Sequence, residues 1–194
     1  MSRSLSALVV AIALFATLPA AAQDTWQLDP AHCSAQFSVR HLGISTVRGT
    51  FTKLSGAVRY DAAAPGKSSL EATIEATSVD TRVEMRDNDL RSPNFLDVQK
   101  YPTITFQSKK VEAAGAGKLK VTGDLTVHGV TKEVALDVDG PTPAMKDPWG
   151  NLRMGASATT KINRMDFGVS GGPGVVGDDI TITLDIEMTK QLPK

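Results

Sequence analysis

Three histidines, His32, His41 and His128, are the first residues to test for chemistry. A zinc site needs three or four ligands converging on one point. His32 and His41 stand nine positions apart, which on a regular strand puts them on opposite faces. His128 sits alone beside a turn at Gly129. They read as ordinary surface or core residues. Acid–base work would fall to Asp87 and Asp89, flanked by Arg86 and Arg91. Alternating sign over so short a span reads instead as a surface ion-pair network that holds a connection in place. Asp97 and the pair Asp178-Asp179 have no ligand spacing around them. Cys33 is the only cysteine, so an exported chain of this sequence has no internal disulfide. It falls on the apolar parity of its strand and reads as a small buried residue, because a reactive thiol needs an electropositive, partly exposed setting. The run GGPGVVG at 171–177 lacks the strand before and helix after that a phosphate loop requires, and reads as a flexible connection. No catalytic residue, cofactor or metal is expected. An enzyme acting on a lipid or quinone through the carboxylates near Asp87 stays open as an alternative.

The elements that would position these residues are strands. Trp26 and Leu28 begin a short one. Cys33, Ala35, Phe37, Val39 and His41 then alternate with Ser34, Gln36, Ser38 and Arg40, the period of a half-buried strand. Val47, Gly49 and Phe51 fall on odd positions, whereas Leu54, Val58 and Tyr60 fall on even ones. The switch near Thr52-Lys53 predicts a bulge that bends the strand. Leu70 to Ala76, Thr103 to Val111, Met154 to Ile162 and Ile180 to Met188 alternate in the same way. Leu119 to Val127, a turn at His128-Gly129 and Val134 to Val138 make the clearest hairpin. About eight such strands, with one apolar face each, close into a barrel or stack as a sandwich.

The stretch from Thr77 to Ser108 is different. Its charged residues surround Phe95, Leu96 and Val98. A connection this long in a β domain is functional or disordered, and adjacent large apolar groups argue against disorder. It reads as a short helix capped near Thr81 and stopped before Pro93. It would either plug the barrel base or lie as a lid over a cavity mouth, with Phe95 and Leu96 turned inward.

Within this stretch, SVDT, RDNDLRSPNFLDV and KYPTITFQS resemble the central signature of the YceI-like family of polyisoprenoid-binding, lipocalin-like secreted proteins. WQLDPAHCSAQFSVRHLGISTVRGTF before it, and GDLTVHGVTKEVAL and DPWGNLRMGASATTKINRMDFG after it, continue the likeness in the family's order. Two positions depart from it. Asp89 stands where the family commonly has histidine, and Cys33 where it commonly has serine. The resemblance implies an all-β fold, an antiparallel eight-stranded lipocalin-like barrel with one short helical or loop connection, and a long isoprenoid or similar lipid held inside.

Residues 1–22 read as a secretory signal: Arg3, an apolar run from Leu5 to Leu18 too short to span a bilayer, and a small-residue site at Ala20-Ala21-Ala22. Cleavage after Ala22 would deliver residues 23–194 to the periplasm as one domain. With 21 basic and 21 acidic residues, the chain gives no reason to expect nucleic acid. The barrel reading leans toward a cavity. Ala35, Ala72, Ala76, Gly123, Ala156 and Ala158 lie on apolar parities, and aromatics are only 5% of the chain, too few to fill an interior. The expected ligand-facing residues are Phe37, Val39, Phe51, Ala72, Ile74, Phe95, Leu96, Phe106, Leu125, Ala156, Ile162 and Phe167. An aliphatic cavity suits a long hydrocarbon such as a polyisoprenoid or isoprenoid quinone, at roughly 0.8 kcal/mol per buried methylene. A protein-interaction module with a filled barrel is the remaining alternative. A homodimer and a membrane or redox-protein partner stay open.

Overall fold

Period-two alternation governs nearly every element of the computed structural model, which describes residues 25–191; the expected signal segment lies outside the described residues. In chain order the elements are β1 (Thr25–Leu28), β2 (Ser34–His41), β3 (Ser45–Phe51), β4 (Leu54–Arg59), β5 (Ser69–Glu75) and β6 (Val79–Asp80). There follow α1 (Glu84–Arg91), β7 (Thr103–Ala113), β8 (Lys118–Val127), β9 (Val130–Asp139), β10 (Met145–Lys146), β11 (Leu152–Asn163) and β12 (Val176–Lys190).

All pairings are antiparallel. β12 lies along β11 from Asp179 to Lys190, and its other edge takes β2 and then β1. β1 continues to β4 and β2 to β3, and β4 and β3 continue to β5 and β6. The order β5–β7–β8–β9–β11 completes the circuit. Three broken staves (β1 with β2, β3 with β4, β5 with β6) and five whole ones thus make a closed eight-stranded barrel. Closure leaves no long edge exposed. The parity switch falls where expected: β3 ends at Phe51 and β4 begins at Leu54, so one stave bends as it changes neighbours.

The two ends of the barrel differ. Trp26, Leu28, Leu54, Met154 and Met188 pack together and close the lower end. A second cluster joins Phe106, Val111, Val121, Leu125, Val127 and Leu136 of β7–β9 to Phe95, Phe167 and Val169. β6 pairs only with Thr50 and Phe51 of β3, so towards the upper end, by the β2–β3 turn, β6 leaves that edge of β3 uncovered. α1 and residues 92–102 take the place of the missing strand. An isolated eight-residue helix is unstable in water, so its anchoring determines how that end is built.

α1 stops at Arg91, before Pro93 as expected, but it starts at Glu84 rather than next to Thr81. Its N-cap position is Val83, with no side-chain cap. Thr81 serves otherwise: its amide and hydroxyl both donate to Asp87, at 2.8 and 2.5 Å.

Candidate cavity and its mouth

The inward rows of the staves surround one cavity of about 290 Å3 whose wall is apolar throughout. All twelve residues expected to face a ligand line it. β2 supplies Phe37 and Val39, β3 Phe51, β5 Ala72 and Ile74, and the segment after α1 Phe95 and Leu96. β7 supplies Phe106, β8 Leu125, β11 Ala156 and Ile162, and the turn after β11 Phe167. Ala35 and Ala158 also line it; Ala76 and Gly123 do not. Gly123 has another purpose. A Cβ there would collide with the Phe106 ring and the Gln107 carbonyl, so glycine lets β7 and that ring come close. The expected set omitted the row Ile180, Ile182, Leu184 and Ile186 of β12, whose alternation was a sufficient signal.

A second chamber, of about 550 Å3, adjoins the first at the upper end. Phe37, Val39, Leu90, Phe95 and Val176 line both, so these five form the neck between them. The outer chamber adds polar side chains: Arg40 and His41 from β2, Arg86 and Asp89 from α1, and Asn94. α1 therefore belongs to the mouth, not to the base. Phe95 is 8% exposed and seats its ring on Gly171, where a Cβ would strike it. The glycine-rich run read as a flexible connection is thus a packed wall of the mouth. It is also stapled. The buried Arg164 donates to the carbonyls of Val169, Gly171, Val176 and Gly177 at 2.6–3.0 Å.

The charges of the central stretch do not form the expected surface ion-pair network. Arg86 donates to the hydroxyl and carbonyl of Thr81, and Arg91 to the carbonyls of Thr77 and Val79. Asp87 is buried, held by Thr81, and lines neither chamber. The reason is topological: the acceptors within reach of these guanidinium groups are neutral oxygens of Thr77, Val79 and Thr81, in and beside the two-residue strand β6.

The histidines lie apart. His32 is in the turn before β2, not on a strand, and His41 at the far end of that strand. His128 occupies the β8–β9 turn with φ of 52° and meets Tyr101 edge-on at 4.7 Å. Cys33 is half-buried; its thiol donates to the Glu187 carbonyl at 3.3 Å, and burial pushes its pKa up, away from reactivity.

Sequence reasoning missed a cluster on the outer wall near the lower end. Asp29, His32 and Glu187 bring potential donor atoms within 4.8 Å of one another. Arg153 occupies that position, bonding Asp29 at 2.8 Å, Asp147 at 2.8 Å, and Glu187. A guanidinium already supplies the positive charge a metal would bring. Arg153 holds the Asp29 carboxyl down to about 2, helped by His32, and the Asp147 carboxyl down to about 2, helped by Asn151 and the Trp149 amide. Asp29 and Glu187 are far apart in sequence, so no local spacing announces the cluster.

The sequence matches the profile of the YceI-like domain over residues 26–188. A UPF0312 protein of Ectopseudomonas mendocina (strain ymp) is 36% identical over 191 residues, covering 98% of this chain and all of that one. The crystal structure of a Campylobacter jejuni YCEI protein superposes with a TM-score of 0.70 at 34% identity, covering 79% of this chain and 90% of the other. A polyisoprenoid binding domain from Saccharophagus degradans shares the fold, with a TM-score of 0.62 at 16% identity, covering 89% and 100%.

Proposed function

We propose a carrier function, starting from a plain premise: this chain belongs to the YceI-like family. The barrel is a binding protein for one long apolar lipid, a polyisoprenoid or isoprenoid quinone, held with its chain inside. The observation that carries this reading is the apolar cavity of about 290 Å3, opening at one end into a chamber whose wall includes a few polar side chains. Such a space stays dry. It offers no group to orient a polar ligand, while a hydrocarbon chain gains roughly 0.8 kcal/mol for each methylene it buries. The Saccharophagus domain of the same fold, described as polyisoprenoid-binding, supports the ligand class.

The carrier reading includes no catalysis. Of the two carboxylates an enzyme would have used, Asp87 faces Thr81 rather than the cavity, and Asp89 stands at the exposed rim of the outer chamber, beyond the apolar neck. An open interior likewise weighs against a module with a filled barrel. Export to the periplasm completes the proposal and rests on the sequence of residues 1–22; N-terminal sequencing of the protein outside the cytoplasm should begin at Gln23.

The direct test is mass spectrometry of an organic extract from natively purified protein, followed by rebinding to the delipidated barrel. A long apolar chain in the extract, and saturable rebinding of one per protein, is the expected result. An empty extract together with failure to bind added isoprenoids would overturn the carrier. Turnover of the bound lipid would restore the enzyme.

A further inference from the structure

The tip of the β2–β3 hairpin is built against local preference. Leu42 and Gly43 stand at its centre with φ of 51° and 71°, and the Ile44 amide donates to the His41 carbonyl at 3.0 Å. A turn with both central residues at positive φ favours asparagine before the glycine, and leucine there is strained. Burial gives nothing in return: Leu42 is 54% and Ile44 79% exposed, and a Cβ on Gly43 would meet no atom within 4 Å. Backbone strain that leaves an apolar side chain in water points to a function for that side chain. The tip is not isolated. The Leu42 amide donates to the Val175 carbonyl at 2.7 Å, and Val175 is exposed as well. Exposed Val83 and Met85 come just before Arg86, through which α1 lines the outer chamber as Val175 does. Of the eight large apolar side chains exposed among the described residues, five therefore border the open end of the barrel, which sets them apart from single apolar residues scattered on a surface.

Behind the tip the charge is positive. From Pro30 to Tyr60 the chain carries Arg40, Arg48, Lys53 and Arg59 and no carboxylate. Arg40 turns back to the tip, donating to the Thr46 hydroxyl at 2.9 Å and the Gly43 carbonyl at 2.6 Å. Arg40 pairs with Thr46 and Ser38 with Arg48, so both arginines stand on one outward row of the hairpin. Among the described residues neither has a carboxylate partner. Asp178 and Asp179 of β12, on the other side of β2, are engaged with Arg164 and Lys161. The exposed acids Glu84 and Asp89 belong to α1, so the cationic side of the mouth is the hairpin.

We propose that the β2–β3 hairpin docks the open end of the barrel on an anionic lipid bilayer. Leu42 and Ile44 enter the acyl boundary, and Arg40 and Arg48 lie at the level of the headgroups. An apolar tip over guanidinium groups is the arrangement of an interfacial anchor. Separately protruding side chains suit a fluid partner, whereas a protein would need a shaped patch of about 800 Å2 on each side. The inference rests on the carrier reading: docked in this way, the chamber faces the phase in which an apolar lipid dissolves, and the lipid reaches the neck without crossing water.

The test sediments delipidated protein with vesicles of phosphatidylethanolamine and phosphatidylglycerol, using phosphatidylcholine vesicles as the uncharged control. The wild type should bind the anionic vesicles more tightly, and added salt should weaken that binding. Ile44→Asp should lower it about tenfold or more. Leu42→Asn should lower it too while raising the unfolding midpoint, because asparagine accepts positive φ; a purely structural role for Leu42 would lower the midpoint instead. Neither residue lines a chamber. Titration with geranylgeraniol in solution should therefore be unchanged in both variants, while its uptake from vesicles slows. A wild type that binds anionic vesicles no better than uncharged ones, or variants that bind as the wild type does, would overturn the docking surface and leave the carrier standing. So would self-association of the wild type that Ile44→Asp abolishes, with no vesicle binding, since a second copy would then cover the tip. Failure to bind geranylgeraniol in solution would instead overturn the carrier, and vesicle binding lost with the tip would still uphold the docking surface.

Discussion

Phe95 bears on both chambers. Its ring is nearly buried, seated on Gly171, and forms part of the neck. One of its faces meets void rather than atoms, so Phe95→Ala should cost about 2 kcal/mol, below the roughly 3–5 kcal/mol of a fully enclosed phenylalanine. The same change should weaken lipid binding by widening the neck. Chemical unfolding and a fluorescent polyprenyl titration on one variant test both; full core loss with unchanged affinity would make Phe95 a plug and nothing more. At the other end, Arg153 fixes the titration of two carboxylates. Because Asp29 and Asp147 are shifted down from an ordinary 3.8 to about 2, their stabilising contribution is complete above pH 3.8 and is lost as pH falls through about 2. We predict that Arg153→Met returns both toward 3.8, so that acid unfolding begins at higher pH. Carboxyl NMR titration of each residue measures it, and unmoved midpoints would show that Arg153 is not their cause. Nine of the twelve cavity residues were legible in advance because each sits on an alternating row, and Phe95 and Leu96 because adjacent large apolar groups in a charged stretch turn inward. The Arg153 cluster was not, because its members converge only when β12 pairs with both β11 and β1.

Arg164 shows how an element can be held by one side chain. The run from Gly168 to Gly177 carries no strand pattern, and its composition suggested flexibility. The structure ties it down through four carbonyls that accept from a single buried guanidinium. Backbone acceptors leave no mark in a sequence, so this staple was illegible there. The start of α1 was misplaced for a related reason. Thr81 has the look of a helix cap, but its donors point at Asp87 one turn on, and the helix begins at Glu84. Its end before Pro93 followed from proline geometry alone. Arg164→Lys keeps the charge and loses the planar fork. We predict that it destabilises the barrel by at least about 2 kcal/mol, since several buried carbonyls lose their donor. Amide exchange in residues 168–177 should rise well before global unfolding. Uniform exchange, with no local opening, would show that packing against Phe95 and not the staple orders this run.

At the scale of the whole molecule the central physical question is whether the barrel is a packed core or a container. Alternation predicted a closed or stacked all-β domain, and the number of staves came out at eight. What alternation could not supply was the volume left inside, because a row of alanines fits a tapering packed barrel as well as it fits a cavity. The two cases respond oppositely to added bulk. In a close-packed interior, extra methylenes force strained rotamers and cost roughly 1–3 kcal/mol. In an empty one they bury apolar surface with nothing to displace. Ala156 is on β11 and faces the cavity. We predict that Ala156→Leu stabilises the delipidated protein by about 2 kcal/mol, the gain from moving its added carbons out of water. The same substitution should reduce lipid affinity, because the leucine takes space the chain would use. Ligand should raise the unfolding midpoint of the wild type in proportion to its free concentration, and raise that of the variant less. Measuring both midpoints with and without lipid settles the matter in one experiment. A variant that is less stable than the wild type and binds as before would mean that the barrel is packed at Ala156 and the lipid, if held at all, lies elsewhere.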